Sequence, residues 1–131
     1  MEQMVVTAAF IKENGRILMA KRLPKGTEGG KWEFPGGKVE LREDPRSCMQ
    51  RELLEELGIQ VKAGEVLDVV STVKEPFHII IIYLECRIIA GEITAIECQE
   101  FRWVSPDEIA GLVKPESDTI FLEHLPLDKI R

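Results

Sequence analysis

The chain lacks the means for several common architectures. Its three cysteines, Cys48, Cys86 and Cys98, are odd in number and widely spaced, a pattern that suggests neither a disulfide framework nor a zinc site. They read as reduced thiols in or near the core. The longest apolar run, residues 79–84, is far too short to span a bilayer. The opening Met1-Glu2-Gln3 lacks the basic start of a signal peptide, so a cytoplasmic location is expected. No Ser/Gly/Pro-rich linker, internal repeat or low-complexity segment divides the 131 residues, and that length suits one self-sufficient domain spanning 1–131. A net charge of -6 argues against a nucleic-acid polymer as partner, because backbone phosphates need clustered Lys and Arg. It does not exclude a small polyphosphate, since acids that hold metal ions invert the local charge.

What the chain does have is concentrated between Gly37 and Ile59. Gly37 is followed after five residues by Glu43, and after seven more by Arg51-Glu52-Leu53-Leu54-Glu55-Glu56-Leu57-Gly58-Ile59. Asp44 can cap a helix that opens on Pro45, and Gly58 can end it. Met49, Leu53 and Leu57 form an apolar stripe, widened by Cys48 and Leu54, and Glu52, Glu55 and Glu56 share the other side. These acids lie at the negative pole of the helix, where each costs about 0.3 to 1 kcal/mol. The like-charged Glu52 and Glu56, four residues apart, add roughly 0.2 to 0.5 kcal/mol, which Arg51 offsets only in part through Glu55. A bound divalent cation explains this arrangement better than a solvated helix face does. Carboxylate oxygens without sulfur suit Mg²⁺, Mn²⁺ or Ca²⁺ rather than zinc.

At every defining position the span resembles the signature of the Nudix hydrolase family: Gly, five, Glu, seven, Arg-Glu-aliphatic, one, Glu-Glu, one, Gly-aliphatic. The preceding Lys31-Trp32-Glu33-Phe34-Pro35-Gly36-Gly37-Lys38-Val39-Glu40 resembles the MutT-type branch, which cleaves nucleoside triphosphates to monophosphate and pyrophosphate. The resemblance implies an α/β (α+β) Nudix fold, a mixed β-sheet sandwiched between α-helices, with the signature at 37–59. It also implies Mg²⁺ as cofactor, with Mn²⁺ as substitute, and a small nucleotide as substrate, in a monomer or homodimer. Rival substrates within the family are ADP-ribose, nucleotide sugars and dinucleoside polyphosphates. A rival of another class is a catalytically idle nucleotide-binding domain, against which the complete glutamate set argues.

Residue by residue, the resemblance makes Glu52, Glu55 and Glu56 metal ligands, joined by the backbone carbonyl of Gly36 and a later loop glutamate. Glu97, four residues before Phe101-Arg102-Trp103, is the best match for the last; its alternative is an ordinary loop acid. Glu52 or Glu97 would accept the proton from the attacking water. Glu43 and Arg51 form a charge-assisted pair that orients Glu52, and Gly37 and Gly58 serve the turn and the helix end. Arg22 and Lys38 are phosphate contacts in this reading, or else exposed cations. Asp118 stands where oxidised-guanine enzymes of the branch read the base with Asn, whereas relatives preferring pyrimidine or methylated cytosine nucleotides carry Asp there. Capping of the last helix is its alternative role. Phe77, His78 and Tyr83 line the nucleoside pocket or pack the core, and the same choice holds for Trp32, Phe34 and Trp103.

Elsewhere the pattern predicts strands over 5–12 and 16–21 joined at Asn14-Gly15, a loop over 23–31, and strands over 59–62, 65–74, 78–88 and 100–104. Ser105-Pro106-Asp107-Glu108 reads as a capping box, and a last helix is expected over 118–125.

Overall fold

The computed structural model of the chain describes residues 1–130. Two four-stranded sheets form its frame. The mixed sheet runs in the order β5 (Gly36–Lys38), β1 (Glu2–Phe10), β7 (Phe77–Ala90), β6 (Gln60–Lys74), with β1 and β7 parallel and the outer pairs antiparallel. In the second sheet, β3 (Arg16–Lys21) pairs along its length with β8 (Glu100–Val104). It also meets β2 (Lys12–Glu13) at its start and β4 (Trp32–Glu33) at its end. Asn14 and Gly15 both have positive φ, 51° and 75°, as the type I′ hairpin turn requires. That hairpin joins β2 to β3, and the predicted first strand divides, because β1 belongs to the other sheet.

The signature helix, α1 (Pro45–Leu57), begins and ends where its sequence says. Asp44 accepts from the Arg46 and Ser47 amides, and Gly58 takes the left-handed conformation at φ 69°. Cys48, Met49, Leu53 and Leu57 are fully buried against the mixed sheet. Leu54, expected on the apolar stripe, is half exposed, while Glu56 is buried. The stripe is therefore narrower than the sequence suggested, and the helix turns a carboxylate inward instead of a leucine. The capping box opens α2 (Pro106–Ala110), with the Ser105 and Glu108 exchange complete. Helix α3 (Glu116–His124) packs beside β6 and places Phe121 in a cluster with Phe10, Phe34 and Tyr83, separate from the one beneath α1. A short α4 (Leu127–Ile130) follows.

The expected strands 59–62 and 65–74 are a single strand, β6. Gly64, which reads as a break, sits inside a shift of register between Ala63 and Val66, so it marks a bulge and not a turn. All three cysteines are buried and unpaired. No helix among the described residues is long and apolar enough to cross a membrane.

Candidate active site

The unpaired carbonyls at the end of α1 assemble the site. A helix C-terminus leaves such groups without partners, and here the loop after β7 supplies them. Thr94 donates to the Leu57 carbonyl at 2.9 Å, and Ile96 and Glu97 donate to that of Glu56 at 3.0 and 3.2 Å. These bonds set Glu97 at the mouth of a cleft of about 500 Å³, lined also by Glu52, Glu56, Gly36, Glu33 and Arg22.

Two adjacent glycines form the cleft floor, for different reasons. A Cβ on Gly36 would lie 2.0 Å from the Thr7 carbonyl oxygen, inside the β1–β5 ladder, so close strand pairing demands glycine. A Cβ on Gly37 would lie 2.3 Å from the carboxyl carbon of Glu52, so the glycine there leaves room for that carboxylate.

Arg51 fixes Glu52 from behind. Its Nε and Nη2 grip both oxygens of Glu43 at 2.7 and 2.9 Å, Nη1 reaches Glu52 at 2.9 Å and Glu55 at 3.1 Å, and Nη2 also reaches the Lys38 carbonyl at 3.1 Å. Its five hydrogen bonds to oxygen match the five donors of a guanidinium, and Nη2 also lies 3.8 Å from the Cys48 sulfur. Glu43 further accepts from the Glu40 amide, and its bonds to Arg51 hold its carboxyl down at about 2. The same bonds raise Arg51 further above its ordinary value. The pair is thus permanently charged.

The other acids are pushed the opposite way. Burial, reinforced by the charges of Glu33 and Glu52, pushes Glu56 up to about 8, against the opposing Gly36 amide and Arg22. Burial likewise raises Glu52, with Arg51 opposing, and takes Glu33 to about 7 despite Arg22, which bonds it at 3.2 Å. Like charges held together in low dielectric are the environment a cation relieves. Among the described residues no three acidic, histidine or cysteine side chains already stand as a closed cage. The available donors are nonetheless all oxygens, the chemistry of a hard divalent ion.

Of the sequence-predicted site residues, Arg22, Gly36, Glu52, Glu56 and Glu97 line this cleft, and Glu43 and Arg51 hold Glu52 from behind. Glu55 is exposed and spends its one bond on Arg51, away from the cleft lining. Gly58 shapes the helix end.

A second chamber of about 770 Å³ opens from the first and shares Arg22, Glu33 and Gly36 with it. Lys38 and Gly37 border it, Met4, Val6, Ile79, Ile81 and Phe77 give it an apolar wall, and Asp118 faces it. Asp118 does not cap its helix; the N-cap is Pro115 and makes no side-chain bond. Phe34 also borders the chamber. Tyr83 is fully buried behind it, His78 bonds Gln3 and Ser71, and Trp32 packs under Arg102. Sequence reasoning assigns no role to Glu33, although it lies in the stretch 31–40 that leads into the signature; an acid flanked by Trp32 and Phe34 is the available signal.

The NUDIX domain family matches residues 1–124. The chain belongs to the Nudix family. It is 36% identical over 126 residues, 94% of this chain and 91% of the other, to the CTP pyrophosphohydrolase of Escherichia coli K12. It is 29% identical over 106 residues, 80% of this chain and 82% of the other, to the 8-oxo-dGTP diphosphatase of the same strain. The crystal structure of a MutT protein from Methanosarcina mazei Go1 superposes with a TM-score of 0.87 at 26% identity, covering 99% of this chain and 97% of that one. The protein is therefore a Nudix hydrolase acting on nucleotide phosphoric anhydrides, with MutT-like relatives, in a family that generally uses divalent metal ions.

Proposed function

We propose that the protein is a Mg²⁺-dependent pyrophosphohydrolase that converts a cytosine nucleoside triphosphate to the monophosphate and pyrophosphate. The observation that carries this reading is the junction of two chambers: a carboxylate-lined cleft opening onto an apolar chamber whose inner polar group is the buried Asp118. Glu52, Glu56, Glu97 and the Gly36 carbonyl would hold the ion. Glu55 joins them in the proposal, because its exposed carboxylate is held by Arg51 alone and a cation can compete for it. When bound, the ion neutralises phosphoryl oxygens and lowers the pKa of water.

Arg22, which both chambers share, and Lys38, which borders the second, orient the phosphates. Glu52, aimed by Arg51 and seated on Gly37, accepts a proton from the attacking water, with Glu97 as the other acceptor placed on the cleft. An ionised Asp118 only accepts hydrogen bonds, so it favours the amino group of cytosine and repels the keto oxygen that uracil presents in its place. The full-length similarity to a CTP pyrophosphohydrolase supports the same base.

The test is pyrophosphate release, with and without Mg²⁺, from CTP, its methylated form, UTP, GTP and 8-oxo-dGTP, with ADP-ribose and a nucleotide sugar alongside. Metal-dependent preference for cytosine is expected. Glu52→Gln should abolish turnover while nucleotide binding survives, and unchanged turnover refutes the role of Glu52. No hydrolysis of any substrate in the presence of metal would make the chain a binding domain.

A further inference from the structure

Asp118 is held in a socket that the proposed reaction has not yet used. Its Oδ1 accepts from the Tyr83 hydroxyl at 2.6 Å, and its Oδ2 accepts from the Phe34 backbone amide at 3.2 Å. The donors come from different elements, β7 and the link between β4 and β5, so the carboxylate of α3 is gripped from two sides. Tyr83 cannot drift. Its ring stacks on Phe121, three residues after Asp118 on the same helix, with centroids 4.0 Å apart and planes 5° from parallel. Phe34 meets both rings edge-on, at 6.0 and 5.3 Å. Tyr83 is fully buried and does not border the chamber, so it cannot stack on a base.

We propose that Tyr83 is a positioning residue for base choice: its hydroxyl keeps Asp118 an acceptor of fixed orientation, so the chamber selects an amino group over a keto group. This inference rests on Asp118 as the base reader. Burial and the neighbouring carboxylate keep the phenol above its ordinary pKa, so at working pH it stays protonated and has a proton to donate to Asp118. Deleting the hydroxyl leaves Oδ1 without a partner in a buried place, and the favoured response of such a carboxyl is to take up a proton. A protonated Asp118 is also a donor; it can then bond a keto oxygen and loses its preference for cytosine. Around it, Lys114 from the α2–α3 link and Arg22 beyond β3 favour the charged form, while Glu33 on β4 opposes it. Asp68 of β6 acts on Tyr83 itself. With those groups unchanged, the hydroxyl is the lever.

The experiment compares kcat/KM for CTP and UTP from pH 6 to 8.5 in the wild type, Tyr83→Phe and Asp118→Asn. Tyr83→Phe keeps the stacked ring. It should narrow the CTP-to-UTP ratio roughly tenfold, mainly through KM, the scale of one hydrogen bond to a charged group. The residual ratio should fall further toward acid pH. If Tyr83→Phe keeps the wild-type ratio and pH profile while Asp118→Asn loses the preference, the role of Tyr83 is refuted and Asp118 stands. If Asp118→Asn keeps the preference, both fall. Should Tyr83→Phe not fold, a second variant remains, because the sequence has one tyrosine: full replacement by 3-fluorotyrosine labels Tyr83 alone. Its fluorine resonance should shift on titration with CTP and not with UTP, and equal responses overturn the proposal.

Discussion

Replacing Gly37 by Ala separates a catalytic from a structural demand within two adjacent residues. The added Cβ would stand 2.3, 2.4 and 2.6 Å from the Cδ, Oε2 and Oε1 atoms of Glu52. Unstrained contact needs about 3.5 Å, so the carboxylate must retreat by about 1.2 Å. It can do so, because it ends a flexible side chain and Gly37 has no positive φ to forbid alanine. The retreat weakens the 2.9 Å bond from Arg51, a stability cost of about 1 kcal/mol. Catalysis should suffer far more, since a displacement of about 1 Å in a reacting group costs on the order of 100-fold, about 2.7 kcal/mol of barrier. Gly36→Ala is the control. Its Cβ meets the Thr7 backbone at 2.0 Å, and backbone in a paired strand cannot swing aside, so that variant should lose the fold. Thermal melting and kcat/KM measured on both decide the matter. Near-native activity in Gly37→Ala, or unfolding as complete as in Gly36→Ala, would falsify the seating of Glu52 on Gly37.

Arg51→Lys keeps the charge but offers three donors where five bonds to oxygen are made; kcat should fall at least tenfold with a small change in melting temperature, and full activity would show that charge alone suffices. Metal-free protein should lose stability as pH rises. Glu56 and Glu33 are raised to about 8 and 7 from 4.5, and Asp118 to about 6 from 3.8, so the fold binds these protons more tightly than the unfolded chain. The stabilisation is complete below about 4 and lost as pH climbs through 6 to 8, read as a melting temperature that falls across that window. Mg²⁺ should flatten that decline by binding the ionised form, and a stability curve in chelator that rises with pH contradicts the burial of these carboxyls.

The helix and its caps were legible because they depend on local chemistry: Asp44, Pro45 and Gly58 act within one turn of their own positions. The strand at 60–74 was read as two because a bulge and a turn use the same residue, Gly64, and only pairing with β7 tells them apart. The inward turn of Glu56 was equally hidden. Helical spacing places it on the same flank as Glu52 and Glu55, but its burial depends on the loop that docks on the helix end and on Gly36 beneath it. Asp118 was found by resemblance, yet its partners Tyr83 and Phe34 lie 35 and 84 residues away. No spacing rule links such positions.

The end of α1 explains why the acids and Glu97 occur together. A helix that closes on carboxylates has two deficits at one pole: carbonyls without donors and negative charges without a counter-ion. The loop amides of Thr94, Ile96 and Glu97 meet the first deficit. In doing so they bring a further carboxylate to the pole, which deepens the second and leaves a cation to relieve it. Loop docking and metal affinity should therefore be coupled, so that lengthening the loop between Thr94 and Glu97 by one glycine weakens Mg²⁺ binding even with Glu52 and Glu56 intact. Calorimetric titration of Mg²⁺ into that variant reads the coupling directly, and unaltered affinity would mean that Glu97 takes no part in the site.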